Sequence, residues 1–339
     1  MRRPEERHLS RWHHRGPPAR GRSAPRGDLP GPLGAGARGA SLEPWTDTAE
    51  EAVMTAQVTV GLDGSDESLA AARWAAEEAT LREVPLRLVT VEEWPNTPEV
   101  PLPYARDLAD RAEGLLRDEA ARARKEHPDL EVVTERARGR AADELTASAN
   151  EADVLVLGSR GLGGVLGFVV GSVSLAVVAT ARRPVVLVRA QGAEPAAGAG
   201  HIVVGVDLRH PCEPLLAFAF GEAARRGVPL RFLSAWTLPA SYGYAAAVDP
   251  VIGEELAAGV RTGLEDLLSP WRATYPGVVT TAEAVVGSAA YRMIEASRGA
   301  GLVVVGRRTR RLPVGAHLGH VAHAVIHHSP APVAVVPLV

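Results

Sequence analysis

The sequence predicts an α/β protein built from two tandem copies of a five-stranded parallel sheet that helices cover on both faces. From residue 57 onward, short apolar runs alternate with longer segments of helical period, and such alternation is typical of parallel sheets. The same order of elements begins again near residue 201. A repeated order of elements at one spacing indicates a tandem duplication.

The first copy contains every element of this pattern. The helix after the first strand can be capped by Ser65 or Asp66, and Leu69, Trp74 and Ala79 form its buried stripe. Strands are predicted at residues 57–62, 86–91, 130–136, 154–157 and 185–188. Helices are predicted at residues 67–80, 103–127, 141–150 and 173–180.

The second copy is aligned by its aspartate and glycine positions. Asp207 follows Asp63 by 144 residues, and Gly306 follows Gly158 by 148 residues, so four residues are inserted between the two positions. The predicted organisation is a tail at 1–55, a first domain at 56–190, a linker at 191–200 and a second domain at 201–338.

The tail differs in composition from the rest of the chain. Arg, Pro and Gly crowd it, and it shows neither helical nor strand periodicity, so we expect residues 1–55 to be disordered. A basic tail that binds nucleic acid is one alternative. A third interpretation, which we favour, is that translation starts at Met54.

Composition excludes several classes of function. The chain has 339 residues and a net charge of −3, which gives no reason to expect nucleic acid or a membrane as a partner. Its one cysteine, Cys212, excludes disulfides and cysteine metal sites. Its one lysine, Lys125, lies far from any glycine loop, which excludes a Walker A motif. No apolar run could span a bilayer, so a cytoplasmic location is expected.

A glycine-rich loop follows the fourth strand of the first copy. Gly158 ends the strand, Gly161 lies in the loop, and Gly171-Ser172 begins the next helix. Glycines that adopt a positive φ bring backbone N–H groups close to an anion, and the first N–H groups of a helix face the same anion. This order predicts a phosphate-binding site.

These residues resemble the universal stress protein family, in the tandem-domain form common in actinobacteria. Its ATP-binding members carry G-x2-G-x9-G-[S/T], which Gly158, Gly161, Gly171 and Ser172 match without a gap. The runs VGLDGS at 60–65 and WAAEEA at 74–79 are equally typical of the family. The resemblance implies a doubly wound sheet of strand order 3-2-1-4-5, like that of adenine nucleotide alpha hydrolases, with ligand at the carboxyl ends of strands 1 and 4.

The resemblance and the glycine pattern together imply that ATP binds in the first domain, with or without Mg²⁺; AMP and a cyclic nucleotide stay open. Asp63 would accept from ribose or adenine or hold Mg²⁺, Val89 would contact the adenine, and Arg160 the phosphates. The alternative for each residue is a purely structural role: Gly158 would only end a strand, Gly171-Ser172 would only cap a helix, and Asp63 would only cap its own turn. The predicted nucleotide-binding residues are Asp63, Gly64, Ser65, Val89, Gly158, Arg160, Gly161, Gly171, Ser172, Val173 and Ser174.

The second copy departs from the motif. Thr309 replaces the second glycine and His320 replaces Ser172, so we expect binding there to be lost or altered. His320, His323 and His327 share one face of the last helix, but no acidic or cysteine ligand lies near them in sequence. A metal site is therefore not expected.

The leading hypothesis is an ATP-binding regulator of stress or dormancy that is not an enzyme, since no catalytic constellation is visible. A slow ATPase and an interaction protein with a vestigial nucleotide site are the alternatives. An unidentified regulatory protein is the expected partner. In the family, last strands pair between subunits, so 185–188 and 333–336 are expected to pair within the chain as an internal pseudo-dimer. Further homodimerisation stays open.

Overall fold

A computed structural model describes residues 56–93, 102–160, 170–190, 200–210, 212–236, 250–308 and 318–338. The predicted tail at 1–55, residues 191–199 of the linker, Gly161 and Thr309 lie outside the described residues. Within the described part of the chain, no helix combines the length and the apolar character needed to cross a membrane.

The elements of the first repeat follow the sequence prediction, with ends that differ by one or two residues. Helix α1 begins after Ser65, whose hydroxyl accepts a hydrogen bond from Ser68 N (3.2 Å), as an N-cap does. The elements are β1 (Val58–Leu62), α1 (Asp66–Arg82), β2 (Leu86–Glu92), α2 (Leu102–Glu126), β3 (Val132–Arg138), α3 (Ala141–Asn150), β4 (Val154–Gly158), α4 (Ser172–Thr180) and β5 (Val185–Val188).

The described part of the second repeat has the same order of elements. They are β6 (Ile202–Gly205), α5 (Glu213–Arg226), β7 (Leu230–Trp236), α6 (Pro250–Thr274), β8 (Thr280–Val286), α7 (Ala289–Ala296), β9 (Leu302–Arg308), α8 (His320–His328) and β10 (Val333–Leu338). The sequence repeat marked this helix from Ala219, but α5 begins six residues earlier, at Glu213. Pro214 is favourable in the first turn of a helix, and the apolar residues after it extend the helix to that point.

All ten strands form one sheet, in the order β3-β2-β1-β4-β5-β10-β9-β6-β7-β8. Each half is parallel and has the expected order 3-2-1-4-5, so the predicted fold class is confirmed. The halves meet at β5 and β10, which run antiparallel with Ala334 opposite Val186. The predicted pairing of the two last strands within one chain is therefore present, and it joins the two sheets into one.

Side chains alternate between two apolar layers because successive residues of a strand point to opposite faces. Val154 and Val156 of β4 belong to the layer that α1, α2, α5 and α6 cover, while Leu155 and Leu157 belong to the layer that α3, α4, α7 and α8 cover. Each layer extends across both repeats. The two repeats consequently share their hydrophobic core.

Arginines from each repeat also cap a helix of the other. Arg189, which follows β5, donates to the backbone oxygens of Ile326 (2.8 Å) and Ser329 (2.9 Å) at the end of α8. Arg307 of β9 donates to Ala179 O (2.9 Å) and Ala181 O at the end of α4. Because the last carbonyl groups of a helix lack intrahelical donors and carry partial negative charge, both arginines stabilise the seam.

Candidate functional site

A cavity of about 620 Å³ opens where the strand order of the first repeat reverses, at the carboxyl ends of β1 and β4. Crevices at this switch point are the usual ligand sites of open α/β sheets, and this volume is typical of ligand pockets. The lining residues are Gly61, Leu62, Asp63, Ser68, Val89, Val91, Ala141, Leu145, Leu157, Gly158, Arg160, Val170, Gly171, Ser172, Val173 and Ser174.

Eight of the eleven residues predicted from the sequence line this cavity: Asp63, Val89, Gly158, Arg160, Gly171, Ser172, Val173 and Ser174. Gly64 and Ser65 lie in the turn beside the cavity and are not among its lining residues. Gly161 lies outside the described residues.

The start of α4 forms one wall of the cavity. Gly171 is its N-cap, with φ −65° and ψ 149°, and its own N–H donates to Ser159 O (2.9 Å). Ser172 and Val173 follow as the first helical residues, whose N–H groups have no acceptor within the helix. These N–H groups and the positive end of the helix dipole suit an anion in the cavity.

Gly158 makes a close contact that the sequence did not predict. Its φ is not in the left-handed region, so it does not turn the backbone toward an anion. A Cβ at this position would instead lie 2.8 Å from both Glu67 C and Ser68 N. The glycine therefore allows α1 to begin directly against the end of β4, which brings the β1–α1 turn to the cavity.

The β1–α1 turn fixes the Asp63 carboxylate. Asp63 Oδ1 accepts from Ser65 N (3.0 Å) and from the Ser65 hydroxyl (2.6 Å), while Gly64 between them has φ +81°. Ser65 thus orients Asp63 and caps α1, while its expected contact with the ligand stays a prediction. The alternative that Asp63 caps its own turn is also realised, although Asp63 is exposed and lines the cavity.

Arg160 brings the positive charge of a guanidinium to the cavity. Its Nη2 lies 3.0 Å from Glu67 Oε1 in the first turn of α1, and both side chains are mostly buried. The ion pair holds the Arg160 side chain at the wall of the cavity. A guanidinium in this position can donate two parallel hydrogen bonds to a phosphate.

Apolar side chains line the rest of the cavity, and sequence reasoning missed most of them. Val91 follows Val89 at strand spacing and so faces the same side, a signal that the sequence did contain. Leu145 and Ala141 come from α3, whose place beside the cavity follows only from the assembled layers. The other lining residues that sequence reasoning missed are Gly61, Leu62, Ser68, Leu157 and Val170.

The second repeat contacts a residue that lines this cavity. Val170, which is buried and lines the cavity, donates its N–H to His327 Nδ1 of α8 (3.4 Å). The His327 ring lies 4.4 Å, centroid to centroid, from that of His323. Within the described residues there is no cluster of metal-binding side chains.

The equivalent place in the second repeat has different electrostatics. Arg308 stands where Arg160 does, but Pro211 replaces Glu67 in the sequence, and Arg308 pairs with Asp207 instead. Arg209 Nε (3.0 Å) and His210 Nδ1 (3.1 Å) also contact this carboxylate. Burial would raise the pKa of Asp207, but hydrogen bonds from Arg209 and the charges of Arg209 and Arg308 lower the pKa to about 2.

The fold and the cleft define a tandem, doubly wound α/β protein with a ligand-sized cavity at one switch point. Comparison with known proteins adds the family. The sequence profile of the universal stress protein family matches twice, at residues 54–189 and 199–337. The chain belongs to the universal stress protein family, with two copies of its domain.

Mycobacterial proteins are similar along nearly their whole length. Universal stress protein Rv2005c of Mycobacterium tuberculosis is 32% identical over 298 residues, which cover 82% of this chain and 96% of that protein. Universal stress protein Rv2623 of the same organism is 32% identical over 290 residues, covering 82% and 95%. The expected resemblance to tandem proteins of actinobacteria is thus confirmed.

A solved structure shows the same fold. The crystal structure of a universal stress protein from Archaeoglobus fulgidus superposes with a TM-score of 0.62 at 16% identity, and the match covers 84% of this chain and 98% of that one.

Proposed function

We propose that the first repeat binds an adenine nucleotide, with ATP·Mg²⁺ as the principal ligand, and that the protein is a nucleotide-dependent regulator rather than an enzyme. The observation that supports this most directly is that the cavity lining combines groups that suit an anion with apolar side chains. Arg160 and the start of α4 line it together with the apolar side chains of Val89, Val91 and Leu145. A nucleotide has matching chemistry, with an anionic phosphate chain and a flat base.

Each group of the cavity has a role in this proposal. The N–H groups of Ser172 and Val173, the Ser172 hydroxyl and the Arg160 guanidinium would bind phosphate oxygens. Val89 and Val91 would pack against the base. The Asp63 carboxylate, oriented by Ser65, would accept from ribose hydroxyls or hold Mg²⁺. Since Mg²⁺ in proteins is commonly bound by one or two carboxylates together with phosphates, a single carboxylate suffices.

The assignment as a regulator follows from the chemistry of the lining side chains. Asp63 is the one carboxylate among the described lining residues, and two hydrogen bonds from Ser65 already engage it. Histidine, lysine, tyrosine, cysteine and glutamate, the other common general acids and bases, are absent from the described lining residues. Nucleotide occupancy would therefore act on shape and partner choice. A slow ATPase is the alternative to be tested.

The experiment is calorimetric titration of the full chain with ATP, with and without Mg²⁺. We expect one site per chain. Arg160→Gln removes a guanidinium that would bind phosphate, and we expect it to raise Kd by about ten-fold or more. Arg308→Gln is the matched control at the equivalent position of the second repeat, and we expect no change in Kd.

Two outcomes would contradict the proposal. Absence of binding would exclude nucleotide as the ligand, and two equal sites per chain would show that Asp207 and its arginines also admit a nucleotide. Phosphate release from ATP under single-turnover conditions separates the two classes of function. Release that depends on Asp63 would make the protein a slow ATPase, whereas intact ATP after prolonged incubation supports a regulator.

A further inference from the structure

Helix α4, whose start lines the cavity, is a short helix. It has nine residues, Ser172–Thr180, so with a rise of about 1.5 Å per residue its two ends lie ~13 Å apart. Its last turn contains no basic residue that could face the carbonyl groups at its end. Because a short helix moves as one rigid unit, a displacement at its end also changes the direction of the N–H groups at its start.

The second repeat supplies the cation that the end of α4 lacks. Arg307 of β9 is only 5% exposed, and its Nη1 donates to Ala179 O (2.9 Å) while its Nη2 donates to Ala181 O. Carbonyl groups at a helix end lack donors within the helix, and a positive charge suits the negative end of the helix dipole. Because β9 lies between β10 and β6, Arg307 holds the end of α4 against the middle of the sheet.

The start of α4 is also held by the second repeat. Val170, the residue before the N-cap Gly171, donates its N–H to His327 Nδ1 of α8. Arg189 in turn donates to the backbone oxygen of His327 (2.6 Å), which fixes the end of α8 at the seam. The second repeat therefore contacts the first at both ends of the helix whose start lines the cavity.

The contact at the start of α4 was not reproduced by the duplication. The position of His327 corresponds to Ala179, 148 residues earlier, which has no side-chain acceptor. The ends of α4 and α8, by contrast, both receive an arginine of the other repeat, Arg307 and Arg189 respectively. Stability of the seam accounts for the two arginines, but it does not require that the start of α4 be held as well.

We propose that Arg307 and His327 are positioning residues of the nucleotide site, through which the second repeat sets the affinity of the first repeat for phosphate. This inference rests on the proposed function of the first repeat. Neither side chain is among the described lining residues of the cavity, so both act through α4. By fixing the two ends of the helix, they direct the N–H groups of Ser172 and Val173 toward a phosphate oxygen.

The physical basis of this role is preorganisation. A helix start that already points into the cavity loses little freedom when an anion binds to it, so less of the interaction free energy is spent on ordering. Without the guanidinium of Arg307, the end of α4 can shift, and its first N–H groups then sample directions that do not suit the phosphate. The base, which would contact Val89 and Val91 on β2, does not depend on α4 in this way.

The test compares calorimetric titrations of the full chain and of Arg307→Met with ATP. Methionine fills the space of a buried, unbranched side chain and removes every donor to Ala179 O and Ala181 O. We expect Kd for ATP to rise about three- to ten-fold. Arg307→Lys keeps a positive charge and a donor, so its Kd should be intermediate. The Kd for adenosine, which has no phosphate, should stay near the wild-type value.

Two control variants separate positioning from general effects. Arg308→Gln removes the next positive charge on β9, which pairs with Asp207. Glu222→Gln weakens the seam on the opposite face of the sheet, where this carboxylate pairs with Arg82. Both variants should bind ATP with the wild-type Kd, although the second is less stable. His327→Leu provides an independent variant at the start of α4, should Arg307→Met fail to fold.

The outcomes distinguish this inference from the proposed function. An unchanged Kd for ATP in Arg307→Met, alongside a raised Kd in Arg160→Gln, would overturn the positioning role and leave nucleotide binding in place. An equal loss of affinity for ATP and adenosine would also overturn it, because the cavity as a whole would then have loosened. A wild-type chain that binds no ATP would overturn the proposed function, and the positioning role with it.

Discussion

The Arg226 guanidinium of the second repeat donates a hydrogen bond to the Glu78 carboxylate of the first, and that carboxylate is fully buried. The reciprocal contact joins Arg82 to the fully buried Glu222. Each glutamate also pairs with the arginine four residues later on its own helix. Arg225 Nη2 lies 2.6 Å from Glu222 Oε1 as well, so the result is a cluster of two carboxylates and three guanidinium groups where α1 meets α5.

This cluster has the symmetry of the duplication, since Glu222 and Arg226 follow Glu78 and Arg82 by 144 residues each. The aromatic residues that contact the cluster are separated by the same 144 residues. The Arg226 guanidinium lies 5.0 Å from the ring centre of Trp74, and that of Arg82 lies 5.9 Å from the ring centre of its counterpart Phe218. Cation–π contact thus adds to the ion pairs.

Loss of one carboxylate should be costly. Burial would raise the pKa of Glu222, but the charges of Arg82, Arg225 and Arg226 lower the pKa to about 2, so the group is ionised at neutral pH. We expect Glu222→Gln to lower the free energy of unfolding by about 3–5 kcal/mol, because it leaves buried guanidinium groups uncompensated. Thermal or urea unfolding measures this change.

The control for Glu222→Gln is Glu265→Gln, in a surface pair with Arg272. Because half-exposed pairs contribute little, we expect its effect to stay within about 0.5 kcal/mol. Equal effects of the two substitutions would show that the buried cluster does not hold the repeats together.

Gly158→Ala tests how β4 meets α1. Because the added Cβ would lie 2.8 Å from two backbone atoms of α1, the helix must shift. We expect a loss of about 1–3 kcal/mol in the free energy of unfolding, together with weaker nucleotide binding. Gly259→Ala is the control: its Cβ would meet nothing within 4 Å inside α6, so alanine should stabilise the protein by about 0.5–1 kcal/mol. A neutral Gly158→Ala would contradict this account.

The pH dependence of stability should include a contribution from Asp207. Its pKa falls from 3.8 in the unfolded chain to about 2 in the folded protein, so the charged form stabilises the fold above pH 3.8 and this contribution is lost as pH falls through 2. The carboxylate is one-third exposed, so solvent screening limits the effect of Asp207→Asn at neutral pH to about 1 kcal/mol.

Unfolding of wild type and Asp207→Asn should therefore differ at pH 7 and converge near pH 2. Asp118→Asn, at a carboxylate that is 75% exposed, is the control and should change stability little. A difference that grows toward acid pH would have the wrong sign for this mechanism.

If the first repeat binds nucleotide, His327 should affect the affinity from the second repeat. The Nδ1 atom of His327 accepts from Val170 N, so His327→Leu leaves a buried N–H without this acceptor. We expect Kd for ATP to rise about three- to ten-fold. His327→Asn, which offers an amide oxygen near the position of Nδ1, should restore most of the affinity, whereas His320→Leu, at an exposed position of α8, should not alter it.

The sequence predicted the fold well because its signals are local. The alternation of apolar strands and helices placed all five strands of the first repeat, and the recurrence of the same order of elements, with Asp207 144 residues after Asp63, revealed the duplication. The pairing of β5 with β10 was expected from the resemblance to the family, in which last strands pair between subunits.

What the sequence could not predict arises where distant segments meet. Gly158 fitted a phosphate motif, yet its lack of a side chain serves contact with α1, and only the packed layers reveal this. Leu145 joins the cavity from α3, and His327 of the other repeat accepts a hydrogen bond from the backbone of Val170, which lines it. Neither contact leaves a periodic or spaced pattern in the chain, so no reading of the sequence alone would have found it.

The antiparallel seam between β5 and β10 keeps the two halves of this molecule associated with each other. Separate domains that associate through such an edge can exchange partners with any related domain in the same cell. A covalent link instead holds the correct half at high effective concentration, so outside domains compete poorly for it. Each half was therefore free to diverge. Differences such as that between the surroundings of Asp63 and of Asp207 are inherited together, because one chain carries both halves.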